Sequence, residues 1–210
     1  MQMRGLAVLA TAITLLACPA MTPPGAIEIR ASGTWEHQAS GLRFPDQIGS
    51  YRRVVINQYN QPGTDVGVGY NYESYLASVA FTVYVRPPLT LQSGALASLS
   101  EQFEIEKEVI NIHHPGTQES WVHDESFLTE NGSVPVKAAE FRYTENFSFR
   151  RQPVVSQLYL FDLGGWFVKY RLTFAEAQEQ QARELAGHML ISAPWGRRAA
   201  QQGAAAVERQ

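Results

Sequence analysis

Cysteine is almost absent from this chain, which has 210 residues and a single cysteine, Cys18. One cysteine excludes an intramolecular disulfide, and it excludes the paired CxxC motifs that build many zinc sites. Any thiol chemistry would therefore depend on Cys18 alone. Its place near the amino terminus, directly after an apolar stretch, decides how it is interpreted.

A strong charge of one sign is also missing. Lys and Arg together number 17 and Asp and Glu 20, so the formal net charge is −3 at pH 7. This balance produces no general basic field, and nothing in it predicts nucleic acid as a partner. Hydrophobic residues make up 45% of the chain and charged residues 18%. Such a composition is typical of a globular domain with a buried core and excludes a disordered chain.

The amino-terminal apolar run is too short to cross a membrane. Residues 6–17 carry no charge, whereas a membrane-spanning helix needs about 20 apolar residues. Arg4 precedes this run and Pro19 follows it, which is the arrangement of a secretory signal. We therefore predict a signal peptide over residues 1–17 and export of the protein.

The end of this run, Leu15-Leu16-Ala17-Cys18, resembles a bacterial lipobox. The resemblance implies that Cys18 becomes the acylated first residue of the mature protein and attaches it to a membrane surface. The alternative is ordinary cleavage, for example after Ala20, which would release a soluble periplasmic protein. Residues 18–33 are predicted to be a flexible tether, and residues 195–210 a disordered tail.

Residues 34–194 are predicted to form a single α+β domain, with an antiparallel sheet of about seven strands and two main helices packed on it. The first helix follows Ser93, a candidate cap, and the second covers about Ala175 to Leu190. Four acidic residues of the first helix are predicted to form its solvated face: Glu101, Glu104, Glu106 and Glu108.

Gly164 and Gly165 predict a tight turn between two long strands near the carboxyl end. The alternation of residues along these strands places one face in the core. The opposite face carries both apolar and charged residues. A face of that kind favours central strands that are partly covered by the other helix, by a loop or by a ligand. We identify its members as a candidate binding face: Leu158, Leu160, Phe167, Lys169 and Arg171.

The order of elements resembles that of the PsbP-like family, which includes the bacterial DcrB-type lipoproteins. The resemblance is carried by Gly41-Leu42-Arg43-Phe44-Pro45, by Leu158 to Phe161 with Trp166 to Phe174, and by Leu190-Ile191-Ser192 after the last helix. It covers about residues 41–192. It implies an α/β/α sandwich and an accessory role, and it assigns no site residue.

The leading hypothesis is an exported, lipid-anchored accessory protein that binds an envelope protein or a small ligand and needs no cofactor. A second hypothesis is a small metal-dependent hydrolase that uses His113, His114 and His123 as zinc ligands. The histidines at the end of the first helix have another explanation, since imidazoles there meet unpaired carbonyls. The sequence contains no G-x-S-x-G motif, so it does not predict a serine nucleophile of that kind. A purely structural envelope protein is the third possibility.

Overall fold

The computed structural model describes residues 25–73, 78–129 and 132–192. The predicted signal peptide, Cys18 and the predicted tail at 195–210 lie outside these residues. The strands are β1 (Ile27–Glu28), β2 (Trp35–His37), β3 (Leu42–Phe44), β4 (Gln47–Ile48), β5 (Tyr51–Gln58), β6 (Val66–Glu73), β7 (Ser78–Arg86), β8 (Gln118–Thr129), β9 (Gly132–Phe147), β10 (Arg150–Asp162) and β11 (Phe167–Ala175). The helices are α1 (Leu99–His113) and α2 (Glu179–Ser192), and a 3-10 turn at Glu176–Gln178 precedes α2.

Within the described ranges, nine strands form one antiparallel sheet in the order β1-β5-β6-β7-β11-β10-β9-β8, with β4 also beside β5. The hairpin β2–β3 is separate. The predicted α+β class and antiparallel sheet are confirmed, but the predicted number of about seven strands is too low. The two extra strands, β1 and β4, have two residues each. A strand of that length is too short to show alternation in a sequence.

The folded body begins before residue 34, where the sequence predicted its start. Ile27 and Glu28 pair with Gln58 and Asn57 of β5. Arg53 also donates hydrogen bonds to carbonyl oxygens of the following segment, at Ala31 and Gly33. The last part of the predicted tether is therefore bound to the edge of the sheet.

The two helices cover opposite faces of the sheet. Even-numbered residues of β10, such as Leu158, pack in one apolar cluster with Phe103 of α1. Odd-numbered residues, such as Tyr159, pack in another cluster with Ala186 of α2. We name the two sides the α1 face and the α2 face. The layers are helix, sheet and helix, and the core has two parts.

The turn predicted at Gly164 and Gly165 is confirmed. Both glycines have positive φ angles, 68° and 91°, which glycine adopts without steric cost. The amide of Leu163 donates to the carbonyl of Trp166 at 2.9 Å. This turn sets the register of β10 and β11, and the face that alternation predicted to be core is buried beneath α2 and the β2–β3 hairpin.

The first helix begins later than predicted. Ser98, not Ser93, is its N-cap, and Ser98 and Glu101 form a reciprocal capping box. Ser93 lies in a small turn closed by the hydrogen bond from Leu91 N to Ala95 O. The capping box fits because Ser and Glu three residues apart satisfy two free amides at the helix start.

α1 covers only half of its face of the sheet. It packs chiefly on β9 and β10. In β7, the α2-face residues Phe81 and Val83 are fully buried, whereas Ala80, Thr82 and Tyr84 on the α1 face are partly exposed. The α1 face of β5, β6 and β7 lies beside the helix and is partly exposed, and we call it the open face.

Candidate binding site beside the first helix

The five residues of the predicted binding face share the α1 face but not the same exposure. Leu158, Leu160 and Phe167 are 0%, 1% and 2% exposed because α1 lies on them. These three are core residues, so the prediction that they form a contact surface is wrong. Helix α1, one of the three covers that the sequence left open, lies over them. Lys169 and Arg171 are partly buried and border the open face.

Two glycines of the open face are buried beneath neighbouring side chains. Gly67 and Gly69 of β6 lie opposite Tyr84 and Thr82 of β7, and Thr82 lies opposite Arg171 of β11. A Cβ atom at Gly67 would come within 2.8 Å of the hydroxyl of a neighbouring tyrosine, Tyr59. Glycine is therefore required there so that the tyrosine can lie close against the sheet.

One side of α1 forms the wall of this site. Glu106 pairs with Lys169 of β11 at 2.7 Å, whereas Lys107 pairs with Glu119 of β8 at 3.2 Å. The Glu106 side of the helix consequently points towards β7 and the open face. Helical spacing places further residues on that same side: Gln102, Val109 and His113.

Glu106 is 3% exposed, so its prediction as part of a solvated face is wrong. Burial alone would raise the pKa of Glu106, but the charge and hydrogen bond of Lys169, with help from Arg86 and Gln102, outweigh burial and lower it. Glu106 lies three residues after Phe103 and four before Ile110. That spacing on the buried stripe is the sequence signal that reveals it.

The end of the open face near Glu106 is a polar and aromatic network. The ammonium of Lys169 lies 4.1 Å from the ring centre of Tyr84, and Tyr59 stacks on Tyr84 with ring centres 6.1 Å apart. In the described part of the chain, four buried side-chain atoms lack a hydrogen-bond partner, and three belong to residues around this end: Asn57 Oδ1, Arg86 Nε and Gln102 Oε1. This network therefore keeps unused hydrogen-bonding capacity.

Arg171 of β11 lies at the border of the open face, and its guanidinium reaches towards β10 and β9. Its Nε donates to Ser156 Oγ and its Nη2 to Tyr143 Oη, both at 2.7 Å. Among the described residues, no carboxylate lies within 4.0 Å of this guanidinium. Burial raises the pKa of the nearby Glu145, and the field of Arg171 offsets only part of that effect. Arg171 thus holds a partly buried positive charge with two neutral partners.

Glu140, on the α2 face, shows the opposite situation. It is 1% exposed and accepts hydrogen bonds from Ser120 at 3.0 Å and Gln157 at 3.1 Å. Arg183 of α2 lies 2.7 Å from its carboxylate. Since these partners fill its acceptor positions, Glu140 is a structural anchor that holds α2 on the sheet.

The three histidines proposed as zinc ligands do not come together. His113 hydrogen-bonds a carbonyl of its own helix, and His114 stacks on Tyr143 on the α1 face. His123 lies opposite Ala138, which belongs to the α2-face cluster. His114 and His123 are therefore on different faces of the sheet. No group of three His, Cys, Asp or Glu able to hold a metal occurs among the residues the structure describes.

Sequence reasoning missed His37, which pairs with Ser40. His37 Nδ1 lies 2.6 Å from Ser40 Oγ, and Nε2 lies 2.7 Å from the carbonyl oxygen of Gly63. A carbonyl only accepts, so Nε2 carries the proton and Nδ1 accepts from the serine. A nucleophile and its base can have this geometry, but Ser40 is 7% and His37 1% exposed. The pair fastens the β2–β3 hairpin to the turn at Gly63.

Comparisons of the chain with protein-family models, with curated proteins and with solved structures gave no match. Neither α1 nor α2, the α-helices of the described ranges, has the length and apolar character needed to cross a membrane. The open face and the amino-terminal sequence are therefore the features of this chain that bear on its function.

Proposed function

We propose that this protein is an exported, lipid-anchored accessory protein of the cell envelope that acts by binding a ligand on its open face. The observation that carries the proposal is Arg171, a partly buried cation without an ion-pair partner in the described residues, at the border of that face. Burying a charge is unfavourable unless it is paired. A protein gains from such an arrangement when a ligand supplies the missing partner.

The amino-terminal sequence supports the cellular part of the proposal. The apolar run at residues 6–17 and the lipobox-like Leu15-Leu16-Ala17-Cys18 suit a signal that ends in an acylated cysteine. An antiparallel sheet between two helices is also the layer order that resemblance to the PsbP-like family implies. Both points favour an accessory protein held at a membrane surface.

The anchor is tested with Cys18→Ser in the full-length protein expressed in a bacterium. We expect the wild type in the membrane fraction with a lipid-sized mass increase, and the variant in the soluble exported fraction without it. Ala20→Ser is the matched control, because it changes a neighbour and keeps the thiol. Equal fractionation of Cys18→Ser and wild type would show that the protein is not lipid-anchored.

The position of the binding site is tested with a photo-crosslinking residue at Thr82 on the open face. The control places the same residue at Gln118, which is exposed on the edge strand β8. After irradiation in cells, we expect intact-mass spectra to show an adduct with the Thr82 variant only. Adducts at both positions, or at neither, would contradict a ligand site on the open face.

A further inference from the structure

The turn between β9 and β10 has a backbone shape that its residues rarely adopt. Ser148 and Phe149 have positive φ angles of 48° and 65°, and within the described ranges glycine is the only other residue type that does so. Two-residue hairpin turns of this shape are normally built from Asn-Gly, Asp-Gly or Gly-Gly. A bulky side chain is strained in such a conformation, so Phe149 carries a steric cost.

The fold gains little from this aromatic side chain. Phe149 is 71% exposed, more than any other large hydrophobic residue in the described part of the chain. Phe147 makes the core contact instead, because it packs against the cluster beneath α1 and its carbonyl accepts a hydrogen bond from Gln152 at 2.7 Å. Glycine at position 149 would form the turn without steric cost. A strained residue that the fold does not need indicates a function for its side chain.

The turn lies at the end of an arm that projects from the sheet. Strand β11 ends opposite Val154 of β10, and β8 begins opposite Arg142 of β9. Strands β9 and β10 stay paired beyond both neighbours, as far as Phe147 with Arg150. At the usual rise per residue this extension is about 13 Å long. The arm therefore presents its turn as a convex tip.

Two arginines flank the tip. Arg150 and Arg151 directly follow Phe149, and both are exposed. Even-numbered residues of β10 lie on the α1 face and odd-numbered residues on the α2 face, so the two side chains leave opposite faces of the arm. Arg150 Nε donates to Gln152 at 2.9 Å, and neither guanidinium has an ion-pair partner among the described residues. Unpaired positive charge thus lies on both sides of an exposed aromatic residue.

An apolar tip between cations suits a lipid surface better than a protein pocket. A specific protein interface needs about 800 Å² from each partner, and one exposed aromatic side chain supplies only a small part of that area. A bilayer instead adapts to a convex group that enters it. Aromatic side chains settle at the boundary between headgroups and acyl chains, and arginine stems bend so that the guanidinium groups reach lipid phosphates.

We infer that the β9–β10 tip inserts into the surface of an anionic lipid bilayer, with Phe149 at the apolar boundary and Arg150 and Arg151 on lipid phosphates. This contact goes beyond the proposed function, since it requires neither acylation of the chain nor the open face. One aromatic residue and two cations bind weakly by themselves. In an anchored protein they add a second attachment that fixes the orientation of the domain.

The tip is far from the amino-terminal end of the sheet. Successive strand pairs place Ile27 level with Phe161 of β10, and Phe161 follows Phe149 at a distance of about 40 Å along the strand. Cys18 precedes Ile27 in the chain, and the intervening stretch spans at most about 30 Å. A protein held at both points would therefore lie along the membrane and not stand upright on it.

Vesicle binding tests the contact. The full-length Cys18→Ser protein, which cannot be acylated at that position, is sedimented with vesicles of phosphatidylcholine alone or of phosphatidylcholine with phosphatidylglycerol. We expect at least tenfold stronger binding to the anionic vesicles, because each basic residue near an anionic surface strengthens binding about fivefold. Arg150→Gln and Arg151→Gln should each remove about that factor.

Phe149→Gly separates the contact from folding. Glycine relieves the strain of the turn, so we expect a higher urea concentration at the unfolding midpoint together with at least tenfold weaker binding to anionic vesicles. Phe149→Trp keeps an aromatic ring and should bind at least as well as its parent. Leu96→Ser, at a side chain that is 66% exposed, is the matched control and should bind like the parent.

A fluorophore locates the inserted part of the molecule. Because Cys18 is the sole cysteine, Ser148→Cys in the Cys18→Ser background gives one thiol for an environment-sensitive dye and keeps Phe149. We expect the emission of this dye to shift to the blue when anionic vesicles are added. The same dye at Gln61→Cys, on an exposed residue of the turn after β5, should show no shift.

Three results would overturn the inference: equal binding to neutral and anionic vesicles, unchanged binding by Phe149→Gly, or the same dye response at both positions. No binding to anionic vesicles would likewise reject a lipid surface and would leave a protein as the partner of the tip. The Thr82 crosslinking does not involve the tip. An adduct at Thr82 together with no vesicle binding would keep the proposed function and reject the membrane contact alone.

Discussion

Charged side chains on the two faces of this sheet differ in how completely they are paired. Glu140 accepts hydrogen bonds from neighbours on several elements, and Glu106 is held by Lys169 and Gln102. Arg171 has only hydroxyl partners. Because a buried charge is unfavourable unless it is paired, we expect the first two residues to stabilise the fold, whereas the third has no carboxylate partner among the described residues.

Replacing Glu106 tests this distinction. Glu106→Gln removes the charge that Lys169 and Arg86 share, so both cations lose their counter-ion in a partly buried place. We expect the free energy of unfolding in urea to fall by about 3 kcal/mol. Glu104→Gln, at a side chain that is 67% exposed, is the matched control and should change stability very little. Similar losses in the two variants would mean that the Glu106 network does not stabilise the fold.

His37 predicts a pH dependence of stability. Burial lowers the pKa of His37 below its ordinary value of 6.5, and a proton on Nδ1 would displace the hydrogen bond from Ser40. The neutral ring is therefore preferred in the folded state. Its contribution to stability is complete above pH 6.5, the ordinary value, and is lost as pH falls below it.

The measurement is urea unfolding of His37→Gln and wild type at about pH 8 and about pH 5.5. We expect the wild type to lose more stability on acidification than the variant does. The pKa of His114 is also lowered, first by burial and then by Arg171, so part of the decline persists. His123→Gln, on an exposed residue, should retain the wild-type pH dependence. If His37→Gln also retains the wild-type pH dependence, the prediction is wrong.

At the scale of elements, β6 has glycine on one side, where side chains of neighbouring strands lie against its backbone. Its residues alternate between Val66, Val68 and Tyr70 in the core and glycine on the open face. Glycine normally weakens a strand. Here it lets Tyr59 approach the backbone, as the 2.8 Å separation at Gly67 shows.

Two glycine substitutions should have opposite effects. Gly67→Ala places a methyl group against both Tyr59 and Tyr84, and we expect it to lower stability by about 1–2 kcal/mol. Gly187→Ala, in α2 with no atom within 4 Å of the new Cβ, should raise stability by about 0.5–1 kcal/mol because alanine favours the helix. Thermal unfolding of both proteins measures this. A stabilising Gly67→Ala would show that the close approach of Tyr59 is not required.

At the scale of the whole molecule, the two helical layers share their central strands. β10 contributes alternate residues to the clusters under α1 and α2. Glu106 of α1 and Arg183 of α2 each bind a charged residue of the sheet. Detachment of either helix from the sheet would expose one face of the same strands. We therefore expect the domain to unfold as one unit.

This cooperativity is visible in hydrogen exchange. In Glu106→Gln, a change on α1, we expect the slowest-exchanging amides of α2, such as Leu185 and Ala186, to lose as much protection as those of α1. The control is again Glu104→Gln, which should leave both helices unchanged. Faster exchange confined to α1 would show instead that the helix opens locally and independently of the rest.

Several residues show how far prediction from sequence reaches. Gly164 and Gly165 indicated their turn correctly, because glycine dipeptides between alternating strands have a local cause. Ser93 was the wrong cap, since Ser98 with Glu101 satisfies the helix start better. Glu106 was assigned to solvent because its partners, Lys169 and Arg86, are distant in sequence. Strand β1 was missed because two residues carry no periodic signal.

The sequence by itself determined the α+β class, the two helices, and the α2 face of β10 and β11 as core, because alternation and helical spacing are local properties of the chain. It also predicts the export signal and the acylated Cys18. Only the tertiary structure decided that α1 covers Leu158 and Phe167 and leaves the β5–β7 side open. That placement brings together residues far apart in the sequence, such as Glu106 and Lys169, which are 63 positions apart, and no local pattern encodes it. The same placement turned a predicted apolar contact face into core and left Arg171 at the border of the open face.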